Sequence, residues 1–110
     1  EWVFEFSAGL ALIVGATWRL RNAQSIQLTS SDAGHKYGLP APVDAQARGN
    51  ELLSGCTVTG AALDDTTGDL KATFSNGVVL ELLTDSSGYE SWVAYLNGDF
   101  WAAVGNGGLR

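Results

Sequence analysis

Two Asn-Gly dipeptides, Asn76-Gly77 and Asn97-Gly98, each stand between short apolar runs, and they constrain this chain more than any other feature. Both residue types tolerate positive φ, and a reversal built from them matches the right-handed twist of antiparallel strands, so each dipeptide predicts a hairpin. The flanking runs are then strands: Asp69 to Phe74 with Val78 to Leu83, and Tyr89 to Leu96 with Phe100 to Val104. Similar signals recur upstream. Glu1 to Phe6 alternates, with Trp2, Phe4 and Phe6 on one side, as a half-buried strand should. Leu10 to Val14 is a continuous apolar run too short for an ordinary helix. Thr17 to Arg21 sets Trp18 and Leu20 against Thr17, Arg19 and Arg21, and turns at Asn22-Ala23 into Ser25 to Thr29.

The stretch after Pro40 differs in kind. Val43 to Ser54 is rich in Ala, Gln, Arg, Glu and Leu, with Asp44 placed to cap its start and Gly55 to end it, so a helix is expected there. A further strand, Thr57 to Leu63, leads through Asp64 to Gly68 into the hairpins already described. The fold expected is therefore α+β: two antiparallel β meanders, over 1–39 and 57–104, with a single helix over 43–54 between them in sequence. They form either two packed sheets or one strongly curled sheet, within one domain spanning 1–110. The halves also resemble each other when residue 18 is laid over 72 and 34 over 88, which suggests an internal duplication and a pseudo-twofold axis.

Composition narrows the function classes. The longest apolar run, Ala8 to Ala16, falls far short of the ~20 residues of a membrane helix, so no membrane association is expected, and no signal peptide is expected within the numbered chain. One cysteine, Cys56, permits neither an internal disulfide nor a cysteine zinc cage and is expected to be a small buried hydrophobe. The net charge of −6 is uneven: residues 1–50 hold four acids and four bases, whereas 51–110 hold eight acids with only Lys71 and Arg110. Nucleic acid, which needs clustered Lys and Arg, is excluded as a partner, and a basic partner is compatible. A single histidine leaves no multi-histidine metal site, and neither His-Glu-x-x-His nor Gly-x-Ser-x-Gly occurs. Asp64 to Asp69 lacks the alternating oxygen ligands of a calcium loop and has Ser75 where the bidentate Glu belongs. No metal, cofactor or catalytic set is expected.

Two polar segments beside aromatics remain. The first is the glycine-punctuated loop with Asp32, His35 and Tyr37; the second is Asp85, Ser86, Ser87, Tyr89, Glu90 and Trp92. In the second, Asp85 to Ser87 bond the local backbone and Gly88 lets it reverse. Alternation from Tyr89 puts Glu90 and Trp92 on one face, so that either a carboxylate enters the core or a tryptophan stands in water. These nine residues are the candidate binding site, read as one site joining both segments. A histidine with a carboxylate can also do acid–base work when the two come within hydrogen-bond distance, which makes a small enzyme using His35 the competing class.

The opening Glu1-Trp2-x-Phe4, the Trp18-Arg19-Leu20, the Ser31-Asp32-x-Gly34 leading to Tyr37-Gly38-Leu39-Pro40, the Gly68-Asp69-Leu70 with Phe74, and above all Ser86-Ser87-Gly88-Tyr89-Glu90-Ser91-Trp92 carry a resemblance. In that order they resemble a family of small bacterial proteins labelled only as a domain of unknown function. The likeness spans nearly the whole chain. It implies a bacterial, cytoplasmic protein and transfers no activity. The function expected is a non-catalytic binding or protein-interaction module. An immunity or antitoxin-like protein covering a basic surface is a sharper version. Its partner would be a second protein or a small ligand, and exposed sheet edges and the aromatics Tyr95, Phe100 and Trp101 point to a homodimer.

Overall fold

A computed structural model describes residues 1–6 and 9–104, with the side chains of 100, 103 and 104 excepted. Ser7, Ala8 and residues 105–110 lie outside the described residues. The elements in order are β1 (Trp2–Phe6), β2 (Leu10–Val14), β3 (Thr17–Arg21), β4 (Ile26–Thr29), a 3-10 turn (Ser30–Asp32), α1 (Ala45–Leu53), β5 (Val58–Leu63), β6 (Leu70–Phe74), β7 (Val79–Leu83), β8 (Glu90–Leu96) and β9 (Asp99–Val104). Two antiparallel sheets and one α-helix result, an α+β fold. The strands do not stay with their sequence neighbours: one sheet has the order β1-β2-β8-β9 and the other β4-β3-β7-β6-β5. Each sheet thus takes strands from both sequence runs. The overlay of the two halves equates β3 with β6 and β4 with β7, and a twofold axis would make their order palindromic. The order β4-β3-β7-β6 repeats the hairpin instead, so the sheet contains no pseudo-twofold relation between these hairpins.

The chain divides into two compact units. One holds Glu1–Thr17, Leu63–Leu70 and Leu82–Arg110 and is built on the four-stranded sheet. Its registers pair Trp2 with Val14 and Val14 with Trp92, and Phe4 with Leu12 and Leu12 with Ala94. Directly paired residues share a face, which gathers the large side chains into cross-strand rows. Leu12, Val14 and Trp92 are buried in these rows. The turn at Asn97-Gly98 has positive φ at both residues, 51° and 92°, and joins Leu96 to its partner Asp99, as a two-residue type I′ reversal requires.

The other unit holds Trp18–Ala62 and Lys71–Glu81. Trp18, Leu20 and Leu28 are buried on β3 and β4, and Phe74, Val79 and Leu80 on β6 and β7. Helix α1 begins at Asp44, whose Oδ1 accepts the N–H of Ala47 at 3.0 Å. It lies against β4, where a Cβ on Gly49 would meet Leu28 Cδ2 at 3.8 Å, an ordinary contact. The carbonyl of Leu52 accepts the Asn76 amide at 2.9 Å, which ties the helix to the β6–β7 turn. In that turn Gly77 alone has positive φ, 86°; Gly77 N–H bonds to Phe74 O and Phe74 N–H to Val78 O. Asn76-Gly77 therefore makes a longer reversal than the two-residue turn its sequence predicts, closed by Asn76 Oδ1 accepting from Val78 N–H at 3.1 Å. On the same sheet, Arg19 Nε and Arg21 Nε donate to one oxygen of Glu81, at 2.6 and 2.9 Å. Cys56 is free and half-buried rather than enclosed.

Candidate functional site

The two polar segments fall in different units, and each has its own geometry. In the first, Asp32 ends the 3-10 turn. Its Oδ2 accepts Thr29 N–H at 2.9 Å while Thr29 Oγ1 accepts Ser31 N–H at 3.2 Å, a reciprocal cap of the kind that satisfies two orphan donors. Its other oxygen accepts the Tyr37 hydroxyl at 2.9 Å. This bond, joined by desolvation and the Asp32 charge, holds the Tyr37 phenol above its ordinary pKa of 10.0. Tyr37 has φ 47°, a left-handed conformation uncommon for a bulky residue, and is 65% exposed. The His35 ring stacks on it with centroids 5.5 Å apart and planes 16° apart. The loop is pinned to the segment before the helix by Gly34 N–H to Val43 O and Val43 N–H to His35 O, at 3.0 and 2.8 Å. So Asp32, His35 and Tyr37 come together, but not as a histidine–carboxylate pair: Asp32 serves the backbone and the phenol, and the imidazole faces Tyr37.

The second segment lies in the unit of the four-stranded sheet, where the loop from Thr84 to Gly88 leaves β7 and enters β8. Ser86 Oγ accepts N–H groups from Gly88 and Tyr89, at 3.2 and 2.9 Å, and thereby makes the turn that its residue type predicts. Thr84 N–H donates to Asp69 Oδ1 at 2.8 Å, which fastens this loop to the Asp64–Asp69 turn. That turn is shaped by Asp64 Oδ1, which accepts from Thr66 and Thr67 N–H. Between the two lies an open cleft of about 260 Å³ lined by Thr67, Thr84, Asp85, Ser86 and Ser87. Beside it Tyr89 is 82% exposed, the highest exposure of any large apolar or aromatic side chain among the described residues. Thr67 and Thr84 were not candidates from sequence. The hydroxyl density of Asp64 to Asp69 was the only signal available, and it reads equally well as a plain turn.

Glu90 and Trp92 behave differently from simple alternation. The β8–β9 register shifts between them, Glu90 pairing with Val104 and Trp92 with Ala103, so Ser91 is an extra residue. Its carbonyl accepts N–H groups from both Gly15 and Ala16, at 3.0 and 3.1 Å. The bulge resets the period: Glu90 is exposed while Ser91 and Trp92 are both buried. Trp92 is 4% exposed, with its indole N–H donated to Gly68 O at 2.8 Å, so it belongs to the core rather than to a contact surface. Its reach to Gly68 holds the Asp64–Asp69 turn in place. Among the described residues no group of three His, Cys, Asp or Glu side chains is arranged to hold a metal ion, and no helix is long and apolar enough to cross a membrane.

A family model described as a family of unknown function, DUF6188, matches residues 3–109. The chain belongs to this family. No curated protein and no solved structure matches it. The DUF6188 match includes every candidate residue from Asp32 to Trp92. Chemically, this DUF6188 chain presents in the unit of its four-stranded sheet a cleft lined by hydroxyl residues and Asp85, and the segments that form it, 63–70 and 84–90, include Asp64, Asp65, Asp69, Asp85 and Glu90 and no lysine or arginine. Such a surface favours cations and hydrogen-bond donors over anions.

Proposed function

We propose that this chain is a non-catalytic interaction module whose contact segment is 84–90, with Tyr89 as its anchor and Asp85, Ser86, Ser87 and Glu90 as polar contacts to a basic partner. The observation that carries the reading is the exposure of Tyr89, 82%, on a loop fixed by Ser86 and by Asp69. A large aromatic with few rotatable bonds, carried on a loop whose backbone is tied, loses little entropy on binding and supplies much area, which is why tyrosine is enriched among interface anchors. Asp85 and Glu90 beside it in sequence, and Asp69 bonded to the start of its loop, with no lysine or arginine in residues 84–96, make the partner's complementary charge positive. An immunity or antitoxin-like protein from a bacterium is the sharper form of the same reading, supported by this charge and by small size. The His35 enzyme reading loses its main support, because Asp32 is occupied by Thr29 and Tyr37 and the imidazole stacks on the phenol.

The test is affinity capture from a bacterial lysate followed by native mass measurement, wild type against Tyr89→Ala and against Asp85→Ala with Glu90→Ala. Trp92 is left intact, since its loss would damage the core. A stoichiometric basic protein retained by wild type and lost from both variants supports the reading. Equal recovery on all three counts against it.

A further inference from the structure

β5 differs from every other strand of its sheet. It lies at the sheet edge, and five of its six residues are exposed, Leu63 alone being half-buried. Its neighbours bury Ala72, Phe74, Val79, Leu80 and Leu82. β5 is therefore held mainly by its ladder to β6, with the Thr59 hydroxyl donating to Thr73 O at 3.2 Å. Natural edge strands are ordinarily blunted by a lysine, a proline or an inward charge. From Thr57 to Leu63 this chain has none of them: Val58-Thr59-Gly60-Ala61-Ala62-Leu63 is uncharged throughout.

Gly60 gives a second and independent observation. Its φ is not in the left-handed region, and a Cβ built on it would find nothing within 4 Å. Neither backbone strain nor crowding inside the chain calls for glycine there, although glycine weakens a strand. A glycine in a strand interior marks a bulge, a tight bend or a place where a ligand or another backbone comes close, and the open space around Gly60 leaves room for another backbone. In an acidic chain of net charge −6, the surface best suited to meet a second copy is one that carries no charge of its own, and β5 is such a surface.

From these observations we infer that the free edge of β5 pairs antiparallel with β5 of a second copy, centred on Gly60-Ala61, and joins two five-stranded sheets into one of ten strands. Charge fixes the direction. Asp64 and Asp65 follow the strand directly, so parallel pairing would stack each acid on its own copy. Antiparallel pairing about Gly60-Ala61 sends the two acidic ends ~24 Å apart, at about 3.4 Å per residue, well beyond a Debye length of about 8 Å at physiological salt. A slip toward the acids brings them together and is disfavoured, which bounds the register on that side.

The experiment is sedimentation equilibrium of the whole chain across a concentration series. Wild type should move from 11.6 kDa toward twice that mass, with a Kd of about 1–100 µM, because one strand pair covers less than a standard interface. The double variant Gly60→Lys, Ala61→Lys sets lysine near lysine in registers centred there and should weaken Kd more than ~10-fold. Gly60→Glu with Ala61→Glu should do the same, and an equimolar mixture of the two variants should restore association, a rescue that mere damage to the strand would not give. Hydrogen exchange on the wild type supplies a readout free of substitutions: β5 amides should slow as concentration rises. A wild type that stays monomeric, a lysine variant that dimerises like wild type, or concentration-independent exchange over β5 would overturn the inference.

Discussion

Glu81→Gln removes one negative charge from a place where two positive ones depend on it. Arg19 Nε and Arg21 Nε both donate to Glu81 Oε1, and the Glu81 side chain is 13% exposed against 35% and 31% for the arginines. Burial by itself pushes the Glu81 carboxyl up, and the hydrogen bonds and charges of Arg19 and Arg21 outweigh it, so that the carboxyl is held below its ordinary pKa of 4.5. A hydrogen bond to a charged group contributes about 1.5–3 kcal/mol when the partner is lost without replacement. Glutamine keeps an acceptor oxygen, and water reaches about a third of each arginine, which lowers the return. A net loss of about 2 kcal/mol is expected, equivalent to roughly 10 °C in Tm for a chain of this size. The assay is urea and thermal unfolding followed by circular dichroism at pH 7, with Arg19→Gln added to close a double-mutant cycle. A carboxyl whose folded pKa is depressed stabilises above its unfolded value and loses that contribution as pH falls through the folded value. The gap between wild type and Glu81→Gln should therefore be full at pH 7 and close progressively below 4.5. A gap under about 0.5 kcal/mol at pH 7, the scatter of ordinary surface substitutions, or one that stays constant down to the acid limit, would refute the argument.

Other outcomes follow from the same geometry. Trp92→Phe leaves Gly68 O without its indole donor and opens space in the core, and should cost about 2–4 kcal/mol by urea unfolding. Tyr89→Ala, by contrast, should change stability by less than about 0.5 kcal/mol, since its ring is in water. Gly77→Ala forces an alanine to φ 86° and should destabilise by about 1 kcal/mol, whereas Gly60→Ala, at ordinary φ in open space, should be neutral or stabilising by a few tenths in the monomer. The Tyr37 phenol should titrate above the usual tyrosine value and return toward it in Asp32→Asn, read from phenolate absorbance; the Tyr37–Asp32 bond contributes below pH 10.0 and is lost as pH rises through the folded value.

Strand positions were legible because their causes are local. The alternation of Trp2, Phe4 and Phe6, the apolar run of Leu10 to Val14 and the Trp18-x-Leu20 pair each became the strand that its pattern predicts, and Asp44 capped α1 as its residue type requires. Sheet membership was not legible, because β2 and β3 carry no mark that sends one to the four-stranded sheet and the other to the five-stranded one. That choice is made by non-local pairing with β8 and β7, where side-chain packing rather than local propensity decides. The two Asn-Gly dipeptides make the same point at smaller scale. Identical in sequence, they gave a two-residue turn at Asn97 and a longer reversal at Asn76, where the Asn76 side chain is also engaged by Val78 and by the end of the helix.

The candidate segment shows why a site is harder to read than a scaffold. Period-2 reasoning forced Glu90 and Trp92 onto one face and so posed a choice between a buried carboxylate and an exposed tryptophan. Neither occurs, because Ser91 is inserted as a bulge whose carbonyl accepts two N–H groups from Gly15 and Ala16. One extra residue returns Glu90 to water and sends Trp92 into the core, where its N–H secures Gly68. The same irregularity leaves the hydroxyl of Ser91 buried without a partner, and that of Thr84, at the start of the loop, is in the same position. Two unsatisfied hydroxyls are a cost that a scaffold alone gives no reason to keep. They flank the segment that carries Tyr89 and the cleft, which sets the price of presenting that loop. Replacing Ser91 with alanine should therefore leave the fold as stable or slightly more so by urea unfolding, since only an unpaired polar group is removed. If that variant loses several kcal/mol instead, the hydroxyl has a partner after all, and the bulge is a structural feature of the sheet rather than a concession to the loop.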